Sequence, residues 1–213
     1  MKTQDLVLLL ASDTVPVEPH AALRRFALAL AGGLVGSVLL LFSLLRIRAD
    51  LAEALFQPLF WLKIGFVLSL LAVSLFAAVR LSRPGSVVTR LRGLMATPVL
   101  LMWGLALVAL WLAAPAQRTA LFFGETWRYC PVLIAILSVP AFVAILWAMK
   151  GLAPTRPRRA GFTAGLLAGA LAALVYSLHC PEAGIPFISF WYLLGMLIPA
   201  SVGAWLGERL LRW

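Results

Sequence analysis

Six long apolar runs constrain this chain more than anything else in it. They cover residues 26–45, 59–79, 94–113, 129–149, 161–180 and 187–206. Each is about 20 residues long, the length a helix needs to cross a hydrocarbon core of ~30 Å. The runs are apolar all round rather than alternating, so they read as helices and not as barrel strands. Backbone groups in lipid must pair internally, which leaves helices as the only open-ended solution. Composition agrees. Hydrophobic residues make up 63% and charged residues 12% of the 213, whereas a soluble domain carries roughly 25% charged residues. The expected fold class is an all-α membrane protein, a six-transmembrane-helix bundle built of three antiparallel hairpins, because short loops make consecutive helices neighbours.

Charge placement gives the orientation. The net charge is +10, and thirteen of the 18 Lys and Arg residues lie in the leader, in the second and fourth connections and at the C-terminus. The other side holds Arg46, Arg48, Arg118 and Arg128. Positive residues stay cytoplasmic, so both termini are expected inside. This makes the basic balance a topology and headgroup signal, with no direct nucleic-acid partner and no small-molecule substrate. Residues 1–25 form a cytoplasmic leader, 26–206 the transmembrane domain and 207–213 a cytoplasmic tail. The first run is too long for a cleavable apolar region of ~7–15 residues and follows an acidic stretch, so it reads as a retained span.

Small residues mark packing faces: Gly161, Gly165 and Gly169 on span five, Gly32 and Gly36 on span one. Pro140 and Pro199 each remove a backbone hydrogen bond in mid-span and are expected to kink spans four and six. Lys63, in Phe60-Trp61-Leu62-Lys63, is the one ionisable residue clearly within a span. It lies near the outer end, where snorkelling to the headgroups or a structural ion pair accounts for it. The chain shows no nucleotide loop, metalloprotease motif or Ser/His/Asp set, which argues against an enzyme.

The two cysteines share one face. Cys130 opens span four and Cys180 closes span five, each followed by proline. Pro181 pushes Cys180 out of helical geometry. Two outer thiols of this kind form a disulfide if their Cα atoms come within ~7 Å. With His179 and Glu182 they also make a candidate soft-metal site. Arg128 is placed to lower a thiol pKa. The plain alternative is two inert apolar residues. The leader carries Asp5, Leu6, Leu9, Leu10 and Asp13; its leucines and Asp13 share one face of a short helix that Pro16 ends. Such a face needs a protein groove or a membrane surface, and its acidic character disfavours an anionic leaflet.

Asp5-Leu6, Phe60-Trp61-Leu62-Lys63, Arg83-Pro84-Gly85, Trp127-Arg128-Tyr129-Cys130, Ala153-Pro154-Thr155-Arg156-Pro157, Leu178-His179-Cys180-Pro181-Glu182 and Phe190-Trp191-Tyr192 occur in one order along the whole chain. Together they resemble the NrsF family of bacterial anti-sigma factors. The resemblance implies a multi-pass protein of the bacterial inner membrane that holds an extracytoplasmic-function sigma factor through its cytoplasmic N-terminus. It also implies that Cys130 and Cys180 matter for responding to metal or oxidative stress, with no obligatory cofactor. The expected mechanism is sequestration through the leader, released when the thiol site changes. Trp61, Lys63, Arg128, Pro140 and Pro181 are the expected structural and coupling residues. The competing classes are a small transporter, a membrane thiol oxidoreductase or a structural scaffold.

Overall fold

A computed structural model describes residues 21–82, 89–152 and 154–212. The leader residues Asp5, Leu6, Leu9, Leu10 and Asp13 therefore lie outside the described residues. The described chain is helical: α1 (Ala21–Leu44), α2 (Leu51–Ala54), α3 (Pro58–Leu81), α4 (Thr89–Leu112), α5 (Pro115–Phe123), α6 (Cys130–Leu137), α7 (Val139–Lys150), α8 (Pro157–Tyr176), α9 (Ile185–Phe187) and α10 (Leu193–Leu210). Five π-helical residues, Ile188–Tyr192, join α9 to α10. Five helical stretches are long and apolar enough to cross a membrane. A sixth span forms if α6 and α7, bent by 46° at Ser138, count as one. The chain is thus an all-α protein with a multi-pass membrane character.

Proline positions the starts. Pro58, Pro115, Pro131, Pro157 and Pro186 each occupy a first-turn site, where the missing N–H costs nothing. Span five ends at Tyr176, four residues before the expected Cys180. Leu178 and His179 donate backward to Val175 and Tyr176 carbonyls in tightened turns, and Ser177 Oγ donates to the Ala173 carbonyl. Pro181 allows no resumption until α9.

Helix α8 is the centre of the bundle. It is enclosed on nearly every side and packs against α10, α3, α7, α6 and α1. Its small residues permit this. A Cβ at Gly161 would stand 1.9 Å from the Gly203 carbonyl oxygen, and one at Gly165 2.0 Å from that of Pro199. The small-residue ridge expected on span five is therefore a backbone-to-backbone seam with α10. The ridge on span one is shifted by one residue. Gly32 has open space around it, whereas Gly33 meets Ala141 and Gly36 meets Pro140 of α7.

The three-hairpin expectation fails for the first two pairs; α4 packs on α3 and on residues 185–192 rather than on α6 or α7. Helix α1 packs chiefly on α7, and α3 chiefly on α8, while α1 and α3 barely touch. The connector from 45 to 57 is long enough to free α1 from its sequence neighbour, and Gly33 and Gly36 of α1 let it approach Ala141 and Pro140 of α7 closely. The Pro140 kink appears as expected, as the α6–α7 bend. Pro199, by contrast, sits inside the continuous helix α10, and the irregular stretch of that span lies upstream in the π-helical turn.

Candidate functional site

The site forms where irregular chain meets the helix ends. Cys130 is the first residue of α6, and Cys180 follows the last turn of α8. Both are fully buried and neither is in a disulfide. They nonetheless belong to one cluster: the two thiols are near neighbours, with the Tyr176 and Tyr192 side chains beside them. The π-helical turn brings Tyr192 inward; such turns recur at functional sites. Tyr192 Oη is fully buried and, among the described residues, has no hydrogen-bond partner.

Lys63 does not snorkel, and it makes no ion pair among the described residues. Its side chain is 0% exposed and turns into the bundle. Nζ donates to the Cys180 carbonyl at 3.1 Å and the Glu182 carbonyl at 2.9 Å. The ammonium also lies over the Tyr192 ring at 5.6 Å and the Phe60 ring at 5.8 Å. The physical reason is local. Residues 177–184 are not in a helical ladder, so their carbonyls need donors in a place that water reaches poorly. A lysine one turn into α3 supplies two. Arg48 supplies more: Nη1 donates to the Cys180 carbonyl at 3.3 Å, and the Arg48 amide donates to the Leu178 carbonyl at 3.1 Å. Asp50 holds the Arg48 guanidinium through two bonds, at 2.7 and 2.5 Å. That pairing pulls the Asp50 carboxyl down to about 2.

Glu182 fastens the two cysteine segments together. Its Oε1 accepts from the Glu125 amide at 2.8 Å, the Thr126 amide at 3.3 Å and the Thr126 hydroxyl at 3.4 Å. The Thr126 carbonyl in turn accepts from the Cys130 amide at 3.0 Å. Gly124 makes room for this clamp. Its φ of 56° favours glycine, and a Cβ there would stand 2.7 Å from the Glu182 carboxylate. Two residues after Cys180, one carboxylate is thereby tied to the turn that leads into Cys130.

The four-ligand metal set expected from sequence is not assembled. Glu182 is committed to the 124–126 turn, and His179 Nδ1 bonds the Arg46 carbonyl at 2.5 Å, so it carries the proton there. No group of three or more His, Cys, Asp or Glu residues gathers among the described residues in a way that could hold a metal ion. Two sulfurs alone do not make the tetrahedral set a resident zinc needs. Arg128 is likewise displaced from its expected role: it is exposed and stacks on Trp127 at 5.2 Å, while Lys63 is the cation beside the thiols. Trp61 is exposed and caps the α2 segment, its Nε1 donating to the Leu55 carbonyl at 2.9 Å. Pro181 is exposed at the turn. Pro140 lies a full helix segment away, at the α6–α7 bend.

Sequence reasoning missed Arg48, Tyr176, Tyr192 and Thr126. Two of the chain's three tyrosines lie in this cluster, a signal that was available. Arg48 was not findable, since its partners are backbone carbonyls of a loop 130 residues away.

Residues 10–213 match the family described as NrsF, Negative regulator of sigma F. The chain is 57% identical over 213 residues, covering all of both chains, to the probable anti-sigma-F factor NrsF of Azospira oryzae. It is 38% identical over 218 residues, again covering all of both chains, to the anti-sigma-F factor NrsF of Caulobacter vibrioides. No solved structure matches it. The chain belongs to the NrsF family of negative regulators of sigma F, regulatory proteins rather than enzymes.

Proposed function

We propose that this protein is an inner-membrane anti-sigma factor that binds an extracytoplasmic-function sigma factor of the sigma-F kind through residues 1–25. In this reading the thiol cluster faces the periplasm and the arginine-rich end faces the cytoplasm. The family relationship supports the partner; the positive-inside bias supports the orientation. The single observation that carries the sensing half is the convergence of Cys130 and Cys180, 50 residues apart, in one buried cluster.

The input is a chemical change at the two sulfurs: oxidation to a disulfide by a small oxidant, which accepts two electrons and two protons, or capture of a soft metal ion. A metal arrives as signal and not as a resident cofactor. Several features suit the cluster to such a switch. The two thiols and the Tyr176 and Tyr192 side chains lie together in one buried cluster, so a change at either sulfur disturbs its neighbours. The irregular segment 177–184 is held by side-chain bonds and not by a helical ladder, and therefore opens more readily than the spans.

The output is release of the sigma factor by the leader. A tenfold loss of affinity needs only ~1.4 kcal/mol, within the usual range of coupling between sites. Two substitutions test the two halves. Cys130→Ser/Cys180→Ser should abolish release on treatment with diamide or a zinc salt while leaving sigma binding intact; release unchanged in that variant refutes the sensor. Leu6→Asp/Leu9→Asp should free the sigma factor from membranes, and retained co-purification removes the leader as the docking element.

A further inference from the structure

The thiol cluster lies at one end of the bundle, and the leader joins α1 at the other. The route between them runs through the α6–α7 bend. Helix α6 begins at Cys130 and ends after two turns at Leu137. Pro140 then has no N–H to donate, and the axis turns by 46°. Helix α1 sits directly on this bend. A Cβ at Gly36 would lie 2.6 Å from Pro140 Cβ, and one at Gly33 would lie 2.6 Å from Ala141 Cα. Ser37, fully buried, shares its hydroxyl proton between the Gly33 carbonyl of its own helix and the Leu137 carbonyl across the interface, both at 2.8 Å. That is the one polar bond between α1 and the bend among the described residues.

We infer that Ser37 is a positioning residue, the latch that fixes α1 to the α6–α7 bend and so passes the state of the Cys130 end to the leader. The inference rests on the proposed function, since the leader is its output. The geometry makes the contact responsive in a way that the α8–α10 seam is not. Helix α6 is a short lever with Cys130 at one end and Leu137 at the other, so a shift of the cysteine reorients the carbonyl that Ser37 holds. Proline already interrupts the ladder there, so the bend changes without breaking further backbone bonds. Single interhelical hydrogen bonds are weak in membranes, so this one can yield. Gly33 and Gly36 keep α1 close enough for the bond to form, and α1 is continuous back to Ala21, inside the expected leader of residues 1–25.

The test uses the full chain in nanodiscs with its sigma factor, measuring Kd and amide hydrogen exchange together. Ser37→Ala removes the latch, and Gly36→Ala pushes α1 off Pro140 while keeping the hydroxyl. Both should change the sigma-factor Kd by about threefold, the shift that losing one interhelical hydrogen bond of ordinary strength supplies, and raise exchange at 137–142. Ser37→Thr, which restores a hydroxyl, should return both towards wild type. Faster exchange at the bend with an unchanged Kd in Ser37→Ala and Gly36→Ala would reduce the bond to local packing and overturn the latch alone. A chain lacking residues 2–20 is run alongside. If that chain keeps the wild-type Kd, the leader is not the output, and the docking reading falls together with the latch.

Discussion

The bundle contains two close helix contacts built from glycine, and they differ in kind. Between α8 and α10 the backbones touch at three levels, with Gly161 against Gly203 and Gly207, Gly165 against Pro199, and Gly169 against Met196. Both helices are continuous there, and the close approach is chiefly backbone against backbone. Between α1 and α7 the glycines face a proline at a bend, and one hydroxyl makes the polar bond. The first contact has no second arrangement within reach, because any slide drives Cα hydrogens into carbonyls. The second is a joint. Tight packing in a membrane protein therefore serves two purposes: one seam fixes the scaffold, and the other leaves one helix adjustable against it.

The seam should break first. Gly165→Leu puts a side chain where a carbonyl oxygen stands at 2.0 Å from Cβ, and overpacking of backbone has no cheap relief. We expect a loss above about 4 kcal/mol, seen as failure to recover monodisperse protein. Gly32→Ala, whose Cβ meets nothing within 4 Å, should be neutral in the same assay, and equal damage at both positions would erase the distinction.

Lys63→Met comes next. It fills similar volume but strips the Cys180 and Glu182 carbonyls of a donor. Breaking a buried charged contact typically costs about 3–5 kcal/mol. Here removing the ammonium also relieves its own desolvation, so we expect about 2–3 kcal/mol, read by thermal unfolding in detergent. A melting temperature equal to wild type would show that the loop does not depend on its lysine.

Glu182→Ala removes the clamp between the two cysteine segments. Its partners are partly solvated, so the cost should be about 1–2 kcal/mol. The sharper readout is kinetic: maleimide labelling of Cys180 should accelerate, since opening of 177–184 becomes easier. The smallest effect concerns Asp50. Its carboxyl is held at about 2 by Arg48, against an ordinary value of ~3.9. The pairing thus favours the folded loop at any pH above ~4 and is lost as pH falls through about 2. The protection factor of the Arg48 amide, which bonds the Leu178 carbonyl, should fall over that window and stay flat from pH 5 to 8. Asp50→Asn should remove the dependence.

How much of this was legible depended on whether a residue's partner was local. Span positions followed from run length alone, and the α6–α7 bend followed from Pro140. The end of span five did not, because Ser177 and the tightened turns after it hold the same apolar composition as a helix. Helix pairing was illegible. Nothing in the spacing says that Gly33 and Gly36 fit Pro140 and Ala141, and loop length argued for the wrong neighbour of α1. In the site, the shared face of Cys130 and Cys180 was readable from topology. The roles of Lys63, His179 and Glu182 were not. His179 and Glu182 suggested ligands and Lys63 a snorkelling or ion-paired cation, whereas each is spent on backbone groups of irregular segments whose needs appear only once those segments are folded.

In the proposed mechanism the thiol end and the sigma-factor end report on one another. The most direct measurement of this is the sigma-factor Kd of the full chain in nanodiscs, taken with dithiothreitol and again after diamide, with the sulfur linkage followed by peptide mass spectrometry. The expected result is a Cys130–Cys180 cross-link and a rise in Kd of about fivefold or more, both absent in Cys130→Ser. An unchanged Kd in protein shown to carry that cross-link would contradict it.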